Sequence, residues 1–291
     1  MLPLQEITAH IHEFLSSQGV FTLIEKDAYP HLEGVWGAGS AAILAAVLEE
    51  NPDKNVVVLT STQKTALDFQ DDLPLFSERP ILFFPWLNDL SEMLAVRDED
   101  EESDEETLQT FVPDASVGER LRVLKTFLQA SDGGQTAPPV VVAPIQALLM
   151  PSPSPETLLG DSLRVAVGEN ITMDSITEWL VTHGFQNVSA VEFPGEFFSR
   201  GGLIDIYALD WERPIRIEFF GDEIDSIREF DLETQRSSRI LREIDVTAFT
   251  PVLHLGTERA LLTEYLKEEN TLFFLLEPED IQIQGRRFYQ A

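Results

Sequence analysis

The chain has 291 residues, of which 43% are apolar, and this length and composition suit one large folded domain or two ordinary ones. Its formal net charge of −31 repels phosphate groups, so unaided binding to nucleic acid or to an anionic membrane is not expected, and a basic partner surface is favoured. The chain has no cysteine, which excludes disulfides and suits a cytoplasmic protein, and no apolar run reaches the ~20 residues that a membrane span needs.

The first predicted elements are a helix, a short strand and a glycine-rich turn. Apolar residues recur at three- and four-residue steps over 4–15, which predicts an amphipathic helix that packs onto another element. The apolar run Phe21–Ile24 is a short strand candidate. A glycine-rich turn at 34–39 then leads into an Ala/Leu-rich helix that continues to Leu48.

The next elements predict a parallel sheet. Three apolar runs have the composition of buried strands, namely Asn55–Thr60, Ile81–Phe84 and Val140–Ala143. One helix is predicted from a cap at Ser61 or Thr62 to about Leu73, and another over 117–128. Strands that alternate with helices in this way favour an α/β fold with a parallel sheet covered on both faces.

The segment that follows the second of these strands has little periodicity. It contains the run Asp98–Glu106, in which eight residues are acidic, and we predict a partly disordered acidic loop over about 97–112. The other 43 acidic residues of the chain still outnumber its 20 basic ones. The negative charge is therefore spread over the whole chain.

A proline-rich segment, Met150–Glu156, marks a predicted domain boundary. Three prolines at every second position continue neither a helix nor a central strand. Beyond them, short alternating strands surround a single helix that is predicted to begin at Thr172 or Asp174 and to end at Gly184. This composition favours a small antiparallel α+β domain.

The last part of the chain returns to the style of the first. A helix is predicted through Leu262 and Leu266, followed by a buried strand at Thr271–Leu276. We therefore predict three stretches along the chain, in which a parallel-sheet domain is interrupted by an inserted α+β domain: 1–160 and 247–291 for the first domain and 161–246 for the second.

The glycine-rich turn has the glycine spacing of a phosphate-binding P-loop, with Gly34 and Gly39 in front of a helix. Nucleotide hydrolysis needs a lysine and then a hydroxyl after those glycines, and Ser40 and Ala41 stand at these positions. The turn therefore predicts a degenerate nucleotide site with no cofactor, while weak anion binding at the helix N-terminus and a purely structural role stay open. Glu277, an acid after the last strand, would be the counterpart of the Walker-B acid of a nucleotide site, and one acid after a strand is a weak signal.

The strand pattern at 215–220 separates an apolar face from an unusual polar one. Its odd-numbered residues are apolar and form a core face, because side chains alternate along a strand. The opposite face carries Arg216, Glu218 and Phe220, so that a phenylalanine lies in line with two charges. Gly221–Asp222 predicts a hairpin turn after this strand.

Two arginines and an aromatic residue near these turns are typical of a protein-docking surface. Arg200 precedes Gly201 and Gly202, a pair that permits a tight bend before another alternating strand. A planar guanidinium can pair bidentately with a partner's carboxylate while an aromatic ring fills a pocket. The alternative from spacing alone is an ordinary surface pair between Arg216 and Glu218, with Phe220 covering the edge of the core.

The sequence predicts no metal site and no catalytic residue. His10 and His12 lie two positions apart on a predicted helix and point in different directions. The acids Asp222, Glu223 and Asp225 lack the loop pattern of a calcium site and are favoured as solvated turn charges. No spacing suggests a Ser-His-Asp or Cys-His arrangement.

The region around these strands resembles the N-terminal module of bacterial transcription-repair coupling factor (Mfd), a module that is itself similar to the excision-repair protein UvrB. The close resemblance lies in Pro194–Tyr207, Arg216–Asp231 and Glu233–Ser237. It extends more weakly over nearly the whole chain, through the glycine-rich turn and further short segments: Phe84–Trp86, Glu119–Leu121, the strand at Val140 and Leu276–Pro278.

The resemblance implies a RecA-like domain without a working ATPase, interrupted by the domain through which such proteins dock onto UvrA. The family's docking contacts fall on the arginine before the glycine pair and on an arginine and the second phenylalanine of an Arg-x-Glu/Asp-Phe-Phe strand. These positions are Arg200, Arg216 and Phe220 in this chain. Glu218 matches a further position of the same face.

Two departures distinguish this chain from UvrB. UvrB has an aromatic DNA-gripping hairpin after its Phe-Pro and hydrolyses ATP, whereas this chain has the acidic run there and Ser40 and Ala41 in its turn. A non-catalytic recruitment module is therefore expected, and a UvrB-like ATP-dependent damage-verification enzyme is the alternative. A direct DNA binder is disfavoured by the charge of −31.

The resemblance also implies what a longer parent would contain. Full-length members of the family continue into an RNA-polymerase-binding domain and an ATP-dependent DNA translocase. Contacts with RNA polymerase and DNA are expected from those domains, not from this chain. We expect the chain to be a fragment of such a protein, with a free-standing docking protein as the alternative.

Overall fold

The structure is a computed structural model that describes residues 4–26, 28–87, 115–130, 138–160, 162–248 and 259–290. These residues fold into two compact units. The first contains the described residues within 1–86, 126–150 and 266–291, and the second contains those within 87–125 and 151–265. The predicted acidic loop at about 97–112 lies outside the described residues.

The elements alternate in the first part of the chain and are mostly strands in the second. The helices are α1 (Leu4–Ser17), α2 (Val20–Glu25), α3 (Gly39–Glu50), α4 (Gln63–Asp72), α5 (Ala115–Ala130), α6 (Ile145–Leu149), α7 (Pro155–Gly160), α8 (Met173–Thr182) and α9 (Pro278–Gln290). The strands are β1 (Asn55–Thr60), β2 (Ile81–Phe83), β3 (Val140–Pro144), β4 (Ser152–Pro153), β5 (Ser162–Ala166), β6 (Gln186–Asn187), β7 (Glu196–Arg200), β8 (Leu203–Tyr207), β9 (Ile215–Phe220), β10 (Glu223–Phe230), β11 (Ser237–Leu241), β12 (Glu243–Thr247), β13 (Arg259–Ala260) and β14 (Thr271–Leu275).

The first unit is built on a four-stranded parallel sheet in the order β14-β1-β3-β2. Strands β1 and β3 are buried at every position, which is why their sequences are apolar throughout. Val56 and Val58 of β1 belong to one core cluster with Leu44 of α3 and Leu15 of α1. The predicted parallel sheet and the α/β class are confirmed.

The caps of two predicted helices are also confirmed. Thr62 accepts a hydrogen bond from the backbone N–H of Thr65 at the start of α4. Thr172 does the same for Ser175 at the start of α8. In each case the threonine oxygen satisfies one of the N–H groups that a first helical turn leaves without a partner.

The strand predicted at Phe21–Ile24 is wrong, because these residues lie in helix α2. Gly19, with φ of 71°, turns the chain sharply after α1 so that a second helix can begin at once. Val20 is buried, Ile24 is half-buried and Leu23 is exposed, and this is the burial of one helical face. So short an apolar run does not distinguish a strand from a helical turn. The glycine-rich turn is therefore not preceded by the predicted strand.

Two predictions near the C-terminus also need correction. The helix predicted through Leu262 and Leu266 is replaced by two 3-10 turns, at Leu262–Tyr265 and Glu268–Asn270. Strand β14 forms as predicted, parallel to β1, but it lies at the edge of the described sheet and is not fully buried. Its Leu272 and Phe274 pack against the core, whereas Phe273 and Leu275 on the opposite face are 46% and 47% exposed.

The second unit is built on a six-stranded sheet in the order β11-β10-β9-β8-β7-β6. Its neighbouring strands run antiparallel, as predicted, except for the two-residue edge strand β6, which runs parallel to β7. One face of the sheet is apolar and buried, with Phe197, Ile206 and Ile217 fully buried. Helix α8 adds Ile176 and Leu180, which are also fully buried.

The described residues lack two other features. None of their helices combines the length and the hydrophobicity needed to cross a membrane. The same residues contain no group of three or more histidine, aspartate or glutamate side chains placed to hold a metal ion.

Candidate functional site

The strand register brings the four predicted docking residues onto one face of the six-stranded sheet. Arg200 of β7 pairs with Leu203 of β8, which in turn pairs with Glu218 of β9. Residues directly opposite each other on antiparallel strands share a face, and alternate residues along a strand do too. Arg216 and Phe220 therefore lie on the same face as Glu218 and Arg200. We call this the outer face.

Arg200 is the exposed cation of the outer face. It ends β7, one residue before the tight turn through Gly201 and Gly202 into β8. Its side chain is exposed, and among the described residues it has no hydrogen-bond or ion-pair partner. Its charge is thus available to an external acidic group.

Arg216 is held by contacts within the unit. Its Nε donates to Asp205 Oδ1 at 2.6 Å and its Nη2 donates to Asp205 Oδ2 at 2.7 Å. Nη2 also donates to Gln235 Oε1 at 3.3 Å. The guanidinium carbon lies 4.7 Å from the ring centroid of Phe230, within cation–π range. These contacts fix the plane of the guanidinium group.

Asp205 explains the strength of this arrangement. It is only 5% exposed, and its position opposite Arg216 on the neighbouring strand aligns the two side chains. The hydrogen bond from Arg216 to this carboxylate raises the pKa of Arg216 above its usual value. The bidentate capacity that the sequence suggested for a partner carboxylate is therefore used inside the domain.

Glu218 pairs with a different arginine. Its Oε2 accepts from Arg228 Nη2 at 2.6 Å and from Ser226 Oγ at 2.9 Å, both on β10. The alternative of a surface pair between Arg216 and Glu218 is therefore wrong, because each charge has a partner on an adjacent strand. The pair of Glu218 with Arg228 is about one-third exposed on both sides.

Phe220 projects into solvent at the end of β9. Its side chain is 82% exposed, just before the turn at Gly221 and Asp222 that leads into β10. The alternative in which Phe220 covers the edge of the core is thus wrong. Ile240 of β11, opposite Arg228, is 80% exposed on the same face. The outer face therefore combines a polar centre with two exposed apolar side chains.

The residues that hold Arg216 were not predicted from the sequence. Asp205 lies between two buried isoleucines in β8, and a polar residue at the outward position of an alternating strand was the available signal. Its pairing with Arg216 depends on the register of β8 against β9, and no local pattern in the sequence specifies that register. Phe230 follows an irregularity in the register of β10 and β11 and is only 1% exposed.

The glycine-rich turn differs from a working phosphate loop in its local contacts. Helix α3 begins at Gly39, and the preceding residue, Ala38, offers no side-chain cap. The Ser40 hydroxyl donates to the carbonyl of Gly37 at 3.0 Å, and Ala41 is fully buried in the helix. The position at which the sequence predicted a missing lysine thus carries a short side chain that donates to the backbone of the turn.

Comparison with known proteins gives two findings. Residues 163–251 match the UvrB interaction domain family, and this range contains all four predicted docking residues. The chain is also similar to the transcription-repair-coupling factor of Bacillus subtilis (strain 168), at 31% identity over 234 residues, which are 80% of this chain and 18% of that protein. The same-named protein of Staphylococcus aureus (strain bovine RF122 / ET3-1) is 39% identical over 153 residues, 53% of this chain and 12% of its own length. The matched part is less than a fifth of the length of either relative.

Proposed function

Because the chain is similar to a segment of transcription-repair-coupling factors, as its sequence predicted, we propose that it is a non-catalytic recruitment module of such a factor that docks onto UvrA. Docking would bring nucleotide excision repair to a stalled RNA polymerase. The observation that carries this proposal is the outer face within residues 163–251, where the exposed Phe220 and Arg200 flank the internally paired Arg216 and Glu218.

The chemistry of the outer face supports docking to a protein. Arginine and aromatic residues are enriched among the residues that carry binding energy at interfaces. Arg216 and Glu218 are each neutralised by a partner in the same sheet, which lowers the cost of removing them from water. A complementary surface would have an apolar pocket for Phe220 and an acidic group opposite Arg200.

The remaining expectations form part of the same proposal. The parallel sheet of the first unit would belong to a RecA-like domain with a degenerate nucleotide site, formed by 1–160 and 247–291, and the docking domain at 161–246 would be inserted into it. The position of β14 beside β1 supports this layout, because it joins a late segment to an early sheet. RNA polymerase and DNA would be contacted by other domains of a cytoplasmic parent protein. No observation favours the UvrB-like enzyme.

A binding titration with purified UvrA tests the proposal. We expect the chain to bind UvrA, and Phe220→Ala to weaken the affinity at least about tenfold, because a buried aromatic anchor typically contributes more than about 1.4 kcal/mol. Tyr29→Ala is the matched control, since Tyr29 is a fully exposed aromatic residue of the first unit. Equal affinity of the wild-type chain and Phe220→Ala, or no binding of the wild-type chain, would overturn the proposal.

A further inference from the structure

Arg216 is constrained on three sides by groups of its own domain. Asp205 lies at the Nε edge, Phe230 lies against the guanidinium plane, and Gln235 lies near Nη2. Gln235 is held in a left-handed backbone conformation, with φ of 55°, in the turn between β10 and β11. An arginine with these contacts cannot reorient without losing several of them at once.

The contacts leave one end of the guanidinium group unused. Nε and Nη2 donate to Asp205, whereas Nη1 has no hydrogen-bond partner among the described residues. The Arg216 side chain is 22% exposed, compared with 7% for the carboxylate that holds it. Nη1 is therefore the part of Arg216 that remains for an external acceptor.

We infer that Asp205 is a positioning residue for docking, which fixes Arg216 so that only Nη1 meets the partner. This inference rests on the proposed function. It assigns to the partner a single oxygen acceptor at this point, not a carboxylate that pairs with both edges of the guanidinium. It also separates two roles on the outer face, because Phe220 and Arg200 contact the partner directly while Asp205 acts only through Arg216.

The fixed geometry explains why arginine is required at this position. A lysine has one ammonium group, which can bind Asp205 or the partner but cannot span both in the geometry of the forked guanidinium. Holding the side chain in advance removes the loss of side-chain entropy that a mobile arginine would suffer on binding. Arg216→Lys should therefore bind UvrA nearly as weakly as Arg216→Met.

A double-mutant cycle on UvrA binding tests the inference, with Asp205→Asn and Arg216→Met measured singly and together. Asparagine keeps the shape of Asp205 but loses one acceptor and the charge. We expect Asp205→Asn alone to weaken binding about tenfold, the size of one charge-assisted hydrogen bond. In the Arg216→Met background, Asp205→Asn should change the affinity less than about twofold, because the residue through which it acts is gone.

A measurement without UvrA keeps the inference testable if the arginine variants fold poorly. Nitrogen NMR of the Arg216 side chain should give separate signals for Nη1 and Nη2 in the wild-type chain, because the pair with Asp205 stops rotation about the Nε–Cζ bond. Asp205→Asn should bring these signals closer or merge them. Unchanged, separate signals in Asp205→Asn would contradict the positioning role directly.

The outcomes distinguish this inference from the proposed function. If Phe220→Ala weakens UvrA binding but Asp205→Asn does not, docking stands and the positioning role is wrong. If Asp205→Asn weakens binding equally in both backgrounds, it acts through the fold and not through Arg216, which also overturns the inference. If Phe220→Ala has no effect on UvrA binding, the proposed function is contradicted, and the positioning role that rests on it is contradicted too.

Discussion

Glu218 accepts a hydrogen bond of 2.6 Å from Arg228 on the adjacent strand β10. It does not accept one from Arg216, which lies two residues away in β9 on the same face. The outer face therefore contains two separate ion pairs. One joins Arg216 to the almost fully buried Asp205, and the other joins two side chains that are each about one-third exposed. The two pairs should contribute very differently to stability.

The first prediction compares the loss of each arginine. Arg216→Met leaves the buried carboxylate of Asp205 without its cation and should lower the free energy of unfolding by about 3–5 kcal/mol. Arg228→Met breaks a partly solvated pair and should cost less than about 1 kcal/mol. Urea denaturation of both variants checks this, and similar losses for the two would show that the burial of Asp205 does not decide the difference.

The second prediction concerns Gly118 in α5. A Cβ atom added to Gly118 would stand 2.0 Å from the carbonyl oxygen of Leu209, which is backbone and cannot turn aside. Gly118→Ala should therefore lower the free energy of unfolding by at least about 1–3 kcal/mol. Gly160→Ala is the control, because the space around Gly160 is open and the change should be neutral or slightly stabilising. If the urea denaturation midpoint of Gly118→Ala equals that of Gly160→Ala, the close approach of the Leu209 carbonyl to Gly118 is contradicted.

The third prediction concerns the pH dependence of the turn that precedes Gln235. The backbone N–H of Thr234, and then its hydroxyl, donate to Asp231 Oδ1 at 2.9 Å each and lower the pKa of Asp231 below its usual value. The ionised carboxylate thus stabilises the turn above the pKa of the unfolded chain. This stabilisation is lost as the pH falls through the lower pKa of the folded state.

Carbon NMR titration of the Asp231 carboxyl measures this shift. Thr234→Ala removes the hydroxyl but keeps the backbone donor, so the pKa of Asp231 should rise part of the way toward its usual value. Thr182→Ala, which removes a hydroxyl bonded to a helix carbonyl, should leave the titration of Asp231 unchanged. Titration of Asp231 at or above its usual value in the wild-type chain would refute the assignment.

The fourth prediction is that the chain does not bind MgATP. Ser40 and Ala41 supply neither the lysine that reaches the phosphates nor the hydroxyl that holds Mg²⁺, and the Ser40 hydroxyl already donates to Gly37. Calorimetric titration to about 1 mM MgATP should give no saturable heat. A Kd above this concentration corresponds to a binding free energy smaller than about 4.1 kcal/mol. Saturable binding would revive the UvrB-like alternative.

Much of the outer face was predictable because it depends on alternation along one strand. The spacing of Arg216, Glu218 and Phe220 placed them on one side of β9, and the structure agrees. Similarly, β1 and β3 were predictable because strands buried on both faces are apolar throughout.

The rest depended on contacts between distant segments. The partner of Arg216 required the register of β8 against β9, and the exposure of Phe273 required knowing which face of β14 packs against the core. The helical state of Phe21–Ile24 depended on the turn at Gly19 and on packing against the core. None of these is encoded in a local pattern of residue types.

Site-specific crosslinking to UvrA tests the docking face most directly. The chain has no cysteine, so a single introduced one carries a photoreactive label at a unique position. Ile240→Cys places the label on the outer face without removing any of the four proposed docking residues, and Val181→Cys places it on an exposed residue of α8, outside the strands of that face. We expect efficient crosslinking to UvrA from position 240 and little from position 181. Equal yields from both positions, or crosslinking from position 181 alone, would contradict docking through the outer face.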